Sequence, residues 1–236
     1  MARPVAQSTD DQDIDQGQCD MNRASWVRHQ VREQWRGRDV AVVYAVLVIV
    51  ISIVAAAQPP AQLRDVVSGS STDLVNLRQR PLAVLFASAF VVSPVLGLWI
   101  VAPMVVAYGG LQRWLGRASV IVVAVLGHVG ATLFVATMEI TEIAKGRVRF
   151  SIAGRPDVGV SYGLAAALGV LVVRVGPRWR KWYVIASLIV FTGQFFIVQS
   201  FTGLGHVTAW LIGLAVAVPV SHAARARSQV EPLTDR

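Results

Sequence analysis

Long apolar runs, each bounded by polar or charged residues, dominate the pattern of this chain. Each run has about 20 residues, the length that an α-helix needs to cross a hydrocarbon core of about 30 Å. Six runs are therefore predicted to be membrane spans: 40–57, 81–107, 118–138, 157–175, 182–199 and 201–221. The second run is interrupted at Ser93 and Pro94 and again at Pro103, and residues 71–77 fit a short interfacial helix. The pattern predicts an all-α membrane protein with six transmembrane helices.

Polar segments flank this predicted membrane domain, which covers residues 40–222. Residues 1–24 are polar, mixed in charge and poor in large apolar side chains, which predicts a disordered tail. Residues 25–39 combine Trp and Val with Arg, which fits a basic amphipathic helix on the membrane surface. A solvated helical lead-in to the first span fits the same residues. Residues 223–236 are predicted to be a polar tail.

The composition agrees with a membrane protein and narrows its partners. Of the 236 residues, 54% are apolar and 15% are charged, whereas soluble domains carry about 25% charge. The net charge of +8 favours anionic lipid at a basic cytoplasmic face, and the absence of a nucleic-acid module argues against nucleic acid. The single cysteine, Cys19, excludes an intrachain disulfide and a Cys-based metal site. We expect neither a metal nor a cofactor.

Loop charge predicts the orientation of the spans. If the N-terminus is cytoplasmic, the inner segments hold fifteen of the 22 Lys and Arg residues and the outer loops hold seven. Cytoplasmic loops of membrane proteins carry such an excess of basic residues. We therefore expect both termini in the cytoplasm, with the fourth and sixth spans entering the membrane from outside.

A serine and a histidine at matched depth are the strongest candidates for chemistry. Ser161 and His206 lie near the starts of the fourth and sixth spans, roughly one turn into each helix. A serine hydroxyl is a weak nucleophile until a base removes its proton, and an imidazole titrates near neutral pH. Asp157 at the mouth of the fourth span is the nearest carboxylate, and it fits a helix N-cap. The pattern indicates a catalytic dyad rather than a triad.

Small residues accompany both candidates at intervals of about four residues. They are Ala165 and Gly169 on the fourth span, and Ala209 and Gly213 on the sixth. Small residues at this spacing let membrane helices approach closely, as a hydrogen bond between the serine and the histidine requires. Ordinary helix packing is the alternative, with each polar side chain bonded to its own surroundings.

The sequence Gly159-Val160-Ser161-Tyr162-Gly163 also fits the G-x-S-x-G motif of α/β-hydrolases. That motif requires a preceding strand in a soluble sheet. Here it opens a membrane span, which argues against the hydrolase fold.

These motifs, in this order and at this depth, resemble the rhomboid family of intramembrane serine proteases. The family has a six-helix core, a serine in a G-x-S motif at the outer end of the fourth helix, and a histidine in the sixth followed by small residues. Matching residues are Gly159, Ser161, His206, Ala209 and Gly213. The resemblance covers roughly residues 40–222 and implies a rhomboid-like bundle.

Three positions depart from the family's motifs. Gln112 opens a segment similar to the family's E-x-x-L-G and replaces the acid. Tyr162 follows the serine, where the family usually has Gly or Ala. Ala165 stands four residues after the serine, where a tyrosine commonly packs under the histidine.

The family's oxyanion donors, a His and an Asn on the second helix, are also missing. Those positions fall near Leu96 and Ile100, which cannot donate hydrogen bonds from their side chains. Ser88, Ser93 and Trp99 are the nearest polar candidates. Loss of one oxyanion donor typically lowers the rate by about 10²–10³.

Other ionisable residues in the spans have less specific interpretations. His128 lies near the middle of the third span, in a Gly-His-Val-Gly sequence that fits close packing of a satisfied histidine. At that depth we expect it to lie too far from Ser161 to pair easily. Glu139 and Glu142, near the outer end of this span, are expected to be solvated.

The leading hypothesis is intramembrane serine proteolysis of membrane-anchored proteins in the cell membrane. Ser161 would attack the scissile carbonyl and His206 would act as base, with Gly159 and the N-terminus of the fourth span helping to position the oxyanion. The alternative is a proteolytically inactive rhomboid-fold protein that binds transmembrane clients. A small transporter is a third hypothesis, against which stands the scarcity of acidic residues in the spans.

Overall fold

The fold is a bundle of helices. The computed structural model describes residues 37–92, 94–149, 157, 159–198 and 201–230, without the side chains of 94–98, 194–198 and 223–230. The described helices are α1 (Asp39–Ala56), α2 (Pro60–Gly69), α3 (Leu74–Gln79), α4 (Pro81–Ser88), α5 (Pro94–Leu115), α6 (Arg117–Ala144), α7 (Val160–Leu171), α8 (Pro177–Val198) and α9 (Phe201–Val230). A 3₁₀ turn, Val172–Arg174, follows α7. The predictions for residues 1–24 and 231–236, for Ser93 and for most of 25–39 fall outside this part of the chain.

The all-helical prediction is confirmed within the described residues, which contain no strand. Three of their helices are long and apolar enough to cross a membrane: α1, α6 and the segment Phe201–His222 of α9. α7 with its 3₁₀ turn is apolar but shorter, and the second predicted span is divided between α4 and α5. The prediction of six spans therefore stays a prediction.

The second predicted span is interrupted beside Pro94, the first of the two prolines at which a break was predicted. α4 ends at Ser88 and α5 begins at Pro94, beside the predicted break. The second expected interruption, at Pro103, is wrong, because α5 continues through it. Membrane helices tolerate proline where neighbouring groups compensate for the missing hydrogen bond.

α7 is the central helix, and its small residues explain why. It packs against α5, α6 and α9, and nine of its twelve residues are buried. A Cβ atom on Gly213 of α9 would overlap the carbonyl oxygen of Ala166, and a Cβ atom on Gly169 would overlap that of Trp210. The backbones of α7 and α9 are therefore in direct contact, and glycine makes this approach possible.

Gln112 ties the start of α1 to the end of α5. Its Oε1 accepts hydrogen bonds from the backbone N–H groups of Val40 (3.1 Å) and Ala41 (3.4 Å), which lie in the first turn of α1 and lack partners within that helix. Its Nε2 donates to Asp39 Oδ1 at 2.5 Å, and Arg117 forms an ion pair with the same carboxylate at 2.8 Å. The amide thus supplies both an acceptor and a donor, at the position of the acid in the E-x-x-L-G motif that this segment resembles.

We expect Gly213→Ala to destabilise the protein by about 1–3 kcal/mol, because the added methyl group meets backbone that has no room to move. Gly110→Ala in α5 is the matched control, since nothing lies within 4 Å of its Cβ position. The control should be neutral or stabilising by up to about 1 kcal/mol. Thermal unfolding in detergent measures both, and equal midpoints would contradict the close contact of α7 and α9.

Candidate functional site

Ser161 is the second residue of α7, a helix too short to cross a membrane by itself. The twelve residues of α7 span about 18 Å, and the 3₁₀ turn adds only three residues. Together they fall short of a hydrocarbon core of about 30 Å. If the 3₁₀ turn lies near one membrane surface, Ser161 is recessed from the other. Its side chain is half-buried.

His206 lies in the second turn of α9 between two aromatic rings. It is 4% exposed. Its ring stacks on Phe191 of α8, with centroids 5.8 Å apart and planes 7° apart. The ring of Tyr162 meets it at 69° with centroids 5.0 Å apart. Among the described residues, Nδ1 of His206 has no hydrogen-bond partner.

The serine and the histidine both lie on the side of α7 that faces α8. Ser161, Ala165 and Leu168 share one face of α7, because they are separated by four and three residues. Ala165 of this face lies in one apolar cluster with Phe191 of α8, with Leu168 and Tyr183 packed against the cluster, and Tyr183 donates a hydrogen bond to the Leu168 carbonyl at 2.9 Å. His206 contacts α8 through Phe191. No hydrogen bond joins Ser161 to His206 in the described part of the chain.

Tyr162 occupies the place beside the histidine that Ala165 leaves open. Its hydroxyl donates to Asp157 Oδ2 at 2.6 Å, and the hydroxyl of Thr202 on α9 donates to Oδ1 at 3.2 Å. Gly205 makes room for this ring, since a Cβ atom there would overlap it. Asp157 therefore links the starts of α7 and α9, and Tyr162 connects it to His206.

The loop before α3 holds the backbone of Asp157 in place through hydrogen bonds. Ser71 Oγ accepts a hydrogen bond from the Asp157 N–H at 2.7 Å, and the N–H and hydroxyl of Thr72 donate to its carbonyl at 2.9 and 3.1 Å. Ser71, Thr72 and Asp73 are buried, and the Asp73 carboxylate caps α3 by accepting from the N–H of Asn76. Sequence analysis missed this anchor. A Ser-Thr-Asp sequence before a short helix is a capping signal, but it does not identify a partner 85 residues away.

A second serine and histidine, Ser88 and His128, are hydrogen bonded. Ser88 Oγ lies 3.2 Å from His128 Nε2, and the same nitrogen lies 2.9 Å from the carbonyl oxygen of Leu85. A carbonyl oxygen only accepts, so Nε2 carries the proton and cannot serve as a base for Ser88. His128 instead stabilises the C-terminal end of α4.

The end of α4 is satisfied by three other helices. His128 of α6 donates to the Leu85 carbonyl, the N–H of Gly159 before α7 donates to the Ser88 carbonyl at 3.1 Å, and Tyr44 of α1 donates to that of Ala89. The last carbonyls of a helix lack intrahelical partners, and water does not replace them in hydrocarbon.

His128 lies close to the serine segment but is hydrogen bonded to Ser88 and Leu85, so the expectation that it does not pair with Ser161 stays a prediction. The ring of His128 lies directly against Gly159, where a Cβ atom would overlap it. The reason for this closeness is that α7 begins beside the middle of α6, and not at its end.

The remaining candidate residues lie in different surroundings. Gly159 is the N-cap of α7, without a side-chain cap. Trp99 is 82% exposed on α5, which places its side chain outside the bundle. Ala165 and Ala209 are buried in one cluster with Tyr162 and Phe191. No three His, Cys, Asp or Glu residues are grouped to hold a metal ion within the described ranges.

Comparison with known proteins identified one family. The family described as rhomboid-like protein matches residues 35–227 of this chain. That range includes every helix that contributes to the site and most of α9. Searches of curated proteins and of solved structures found no match.

We expect His128→Leu to lower the free energy of unfolding by about 1–3 kcal/mol, because it leaves the Leu85 carbonyl without its strongest donor. Ser88→Ala should have a smaller effect, since His128 still reaches that carbonyl. Thermal or denaturant unfolding in detergent compares the two variants. A larger loss from Ser88→Ala would contradict the role of His128 as a cap.

We expect Tyr162→Phe and Thr202→Val each to destabilise the protein by about 1.5–3 kcal/mol, because each removes a donor to a charged carboxylate. The double variant tests whether the two bonds act through Asp157. Shared dependence predicts a loss that differs from the sum of the single losses. Strictly additive unfolding energies would argue against a linked network.

Proposed function

This chain belongs to the rhomboid-like family, and we propose that it is an intramembrane serine protease that cleaves membrane-anchored proteins. In this proposal Ser161 attacks the scissile carbonyl, and His206 takes the proton and returns it to the leaving amine. The supporting observation is the shared α8-facing corner, towards which both the Ser161 face of α7 and the His206 ring are oriented.

Stabilisation of the oxyanion is proposed to come from the start of α7. The backbone N–H of Ser161 is among the first four of the helix, which lack intrahelical acceptors. The helix dipole adds positive potential at the same end. Ile100 offers no donor from the second predicted span. We therefore expect a slow enzyme that depends on backbone groups.

The proposed topology has six spans, with both termini in the cytoplasm of a cell whose plasma membrane holds the protein. Two sequence observations support it: the bias of Lys and Arg and the length of the six apolar runs. In this topology the recess above Ser161 opens to the outside. The buried polar loop of Ser71, Thr72 and Asp73 holds Asp157 close to the start of α7.

The proposed partners follow from the same arrangement. Substrates are transmembrane proteins, which reach the recess from within the bilayer. Anionic lipid is proposed to bind the basic segment between the fourth and fifth predicted spans. Its exposed residues are Arg174, Arg178, Arg180 and Lys181.

A second candidate function is the binding of transmembrane clients without proteolysis. The observation that favours it is the packing of His206 between Phe191 and Tyr162, with no hydrogen bond to Ser161 among the described residues. The absence of side-chain oxyanion donors at Leu96 and Ile100 also favours client binding without proteolysis.

Labelling by a fluorophosphonate probe in detergent distinguishes the two functions. The proposal predicts that wild type is labelled, that Ser161→Ala is not, and that His206→Ala reacts at least about 10²-fold more slowly. Ser88→Ala is the matched control, because its serine is bonded to a histidine that cannot act as a base. It should react at the wild-type rate.

Two outcomes would contradict proteolysis by this dyad. One is labelling that persists in Ser161→Ala or disappears in Ser88→Ala. The other is an unlabelled wild type that unfolds cooperatively, which would favour client binding. Thermal unfolding of each variant separates loss of reactivity from loss of fold.

A further inference from the structure

Two arginines at one end of the bundle, Arg38 and Arg113, have no acidic partner among the described residues. Arg38 directly precedes α1, and Arg113 lies in the last turn of α5. The nearby carboxylate of Asp39 is already engaged, because Gln112 donates to its Oδ1 and Arg117 pairs with its Oδ2. The described part of this end of the bundle therefore holds two positive charges that no carboxylate balances.

Contacts with glycine bring the two arginine side chains to the same place. Cγ and Cδ of Arg38 lie over Gly109 of α5, only 3.1 and 3.0 Å from the position of a Cβ atom there. Gly109 and Arg113 are four residues apart and share one face of α5. Cγ of Arg113 lies 3.5 Å from the Cβ position of Gly37, the residue before Arg38. Both arginine stems therefore lie at the junction between the start of α1 and the end of α5.

The Arg38 side chain is packed along its stem and open at its tip. Its Nε is buried and has no partner in the described part of the chain, whereas Nη1 and Nη2 are neither buried nor hydrogen bonded there. The Arg113 side chain is exposed. Packing on Gly109 thus fixes the direction of the Arg38 guanidinium, and its terminal nitrogens remain accessible to a ligand.

The helix dipoles treat the two charges differently. Arg113 complements the C-terminal end of α5, where a cation is favourable. Arg38 is the N-cap of α1 and makes no side-chain cap, and a cation is unfavourable at that end of a helix. An anion at this junction is attracted by both guanidinium groups and by the start of α1. Planar guanidinium groups match the oxygens of a phosphate, which makes phosphate the class of anion that fits.

The position of α1 places the two arginines at the level of lipid phosphates. α1 is long and apolar enough to span a membrane, and Arg38 stands just before its first residue. Trp114, the neighbour of Arg113, packs against the apolar core, and the guanidinium carbon of Arg174 lies 5.4 Å from the centre of its ring. Tryptophan is enriched where the hydrocarbon meets the headgroups.

We propose that Arg38 and Arg113 form a site for the phosphate group of one anionic phospholipid. Both guanidinium groups donate hydrogen bonds to the phosphate oxygens. The site holds a single headgroup, unlike the general attraction of lipid to the exposed basic segment between the fourth and fifth predicted spans. It rests on the membrane placement proposed above, and not on proteolysis by Ser161. The ligand is a lipid rather than free phosphate, because headgroups already lie at this depth.

Native mass spectrometry of the full chain in detergent, with phosphatidylglycerol or phosphatidylcholine added, tests the proposal. We expect one phosphatidylglycerol to stay bound at concentrations at which phosphatidylcholine does not. The double variant Arg38→Gln, Arg113→Gln should weaken its binding at least about tenfold, because two charge-assisted hydrogen bonds are lost. An excess of inorganic phosphate should not displace the lipid. Ser161→Ala should retain it as wild type does, which keeps this test separate from that of proteolysis.

Two matched pairs of variants separate a defined site from surface charge. Arg113→Gln should weaken binding of the retained lipid about threefold to tenfold. Arg178→Gln, which removes an equally exposed charge elsewhere, should change it less than about twofold.

The second pair leaves the charge unaltered. Gly109→Leu should weaken binding at least about threefold, because the new side chain displaces the Arg38 stem. Gly110→Leu should leave binding unchanged, since nothing lies within 4 Å of its Cβ position. Thermal unfolding of each variant separates loss of the site from loss of the fold, and Arg113→Gln tests the site without a change in helix packing.

Three results would overturn the proposal. Equal retention of phosphatidylglycerol and phosphatidylcholine would show that no anionic headgroup is selected. Equal losses from Arg113→Gln and Arg178→Gln would reduce the effect to surface charge. Displacement of the lipid by inorganic phosphate would assign the two arginines to a soluble anion.

Discussion

The structure depends on hydrogen bonds to two helix ends that lie inside the bundle. α4 ends and α7 begins beside the middle of α6, where an apolar surrounding leaves no solvent for their free backbone groups. The two ends partly satisfy each other, since the Gly159 N–H donates to the Ser88 carbonyl. His128 and Tyr44 complete the end of α4. The break in the second predicted span and the position of Ser161 therefore depend on each other, because the end of α4 is hydrogen bonded to the start of α7.

Small residues allow α7 to pack at the centre of the bundle. The contacts of Gly169 and Gly213 bring α7 and α9 together backbone to backbone, which leaves little space for large side chains between them. Tyr162 is the exception. It fits only because Gly205 faces it, and its hydroxyl is held by Asp157. The orientation of His206 thus follows from a bulky residue in a position where the family usually has a small one.

Sequence patterns predicted the long helices because hydropathy measures the preference of a segment for lipid. The break near Pro94 was also predictable, since proline starts a helix more easily than it continues one. The short length of α7 was not, because the apolar run of residues 157–175 continues beyond both ends of the helix. Hydropathy does not show at which residue the backbone hydrogen bonding of a helix begins or ends.

In the candidate site too, features with a local sequence pattern were predicted, and contacts between residues far apart in sequence were not. The small residues around Ser161 and His206 follow a local period and were found from it. The stacking of Phe191 on His206, the anchoring of Asp157 by Ser71 and the contact of His128 with Gly159 join residues far apart in sequence. No local pattern encodes such contacts, so the cap function of His128 resembled ordinary packing.

The shortness of α7 has a consequence for biosynthesis. With its 3₁₀ turn it has fifteen residues, fewer than the roughly 20 that favour insertion of a span on its own. Its stable place in the membrane must come from contacts with neighbours, and α9, which supplies the closest of them, is translated later. In the proposed topology, a nascent chain that lacks α9 has neither His206 nor the packing that positions Ser161. Under the proposed function, the serine and its base therefore come together only after the last predicted span has been synthesised, and a partly synthesised chain lacks the dyad.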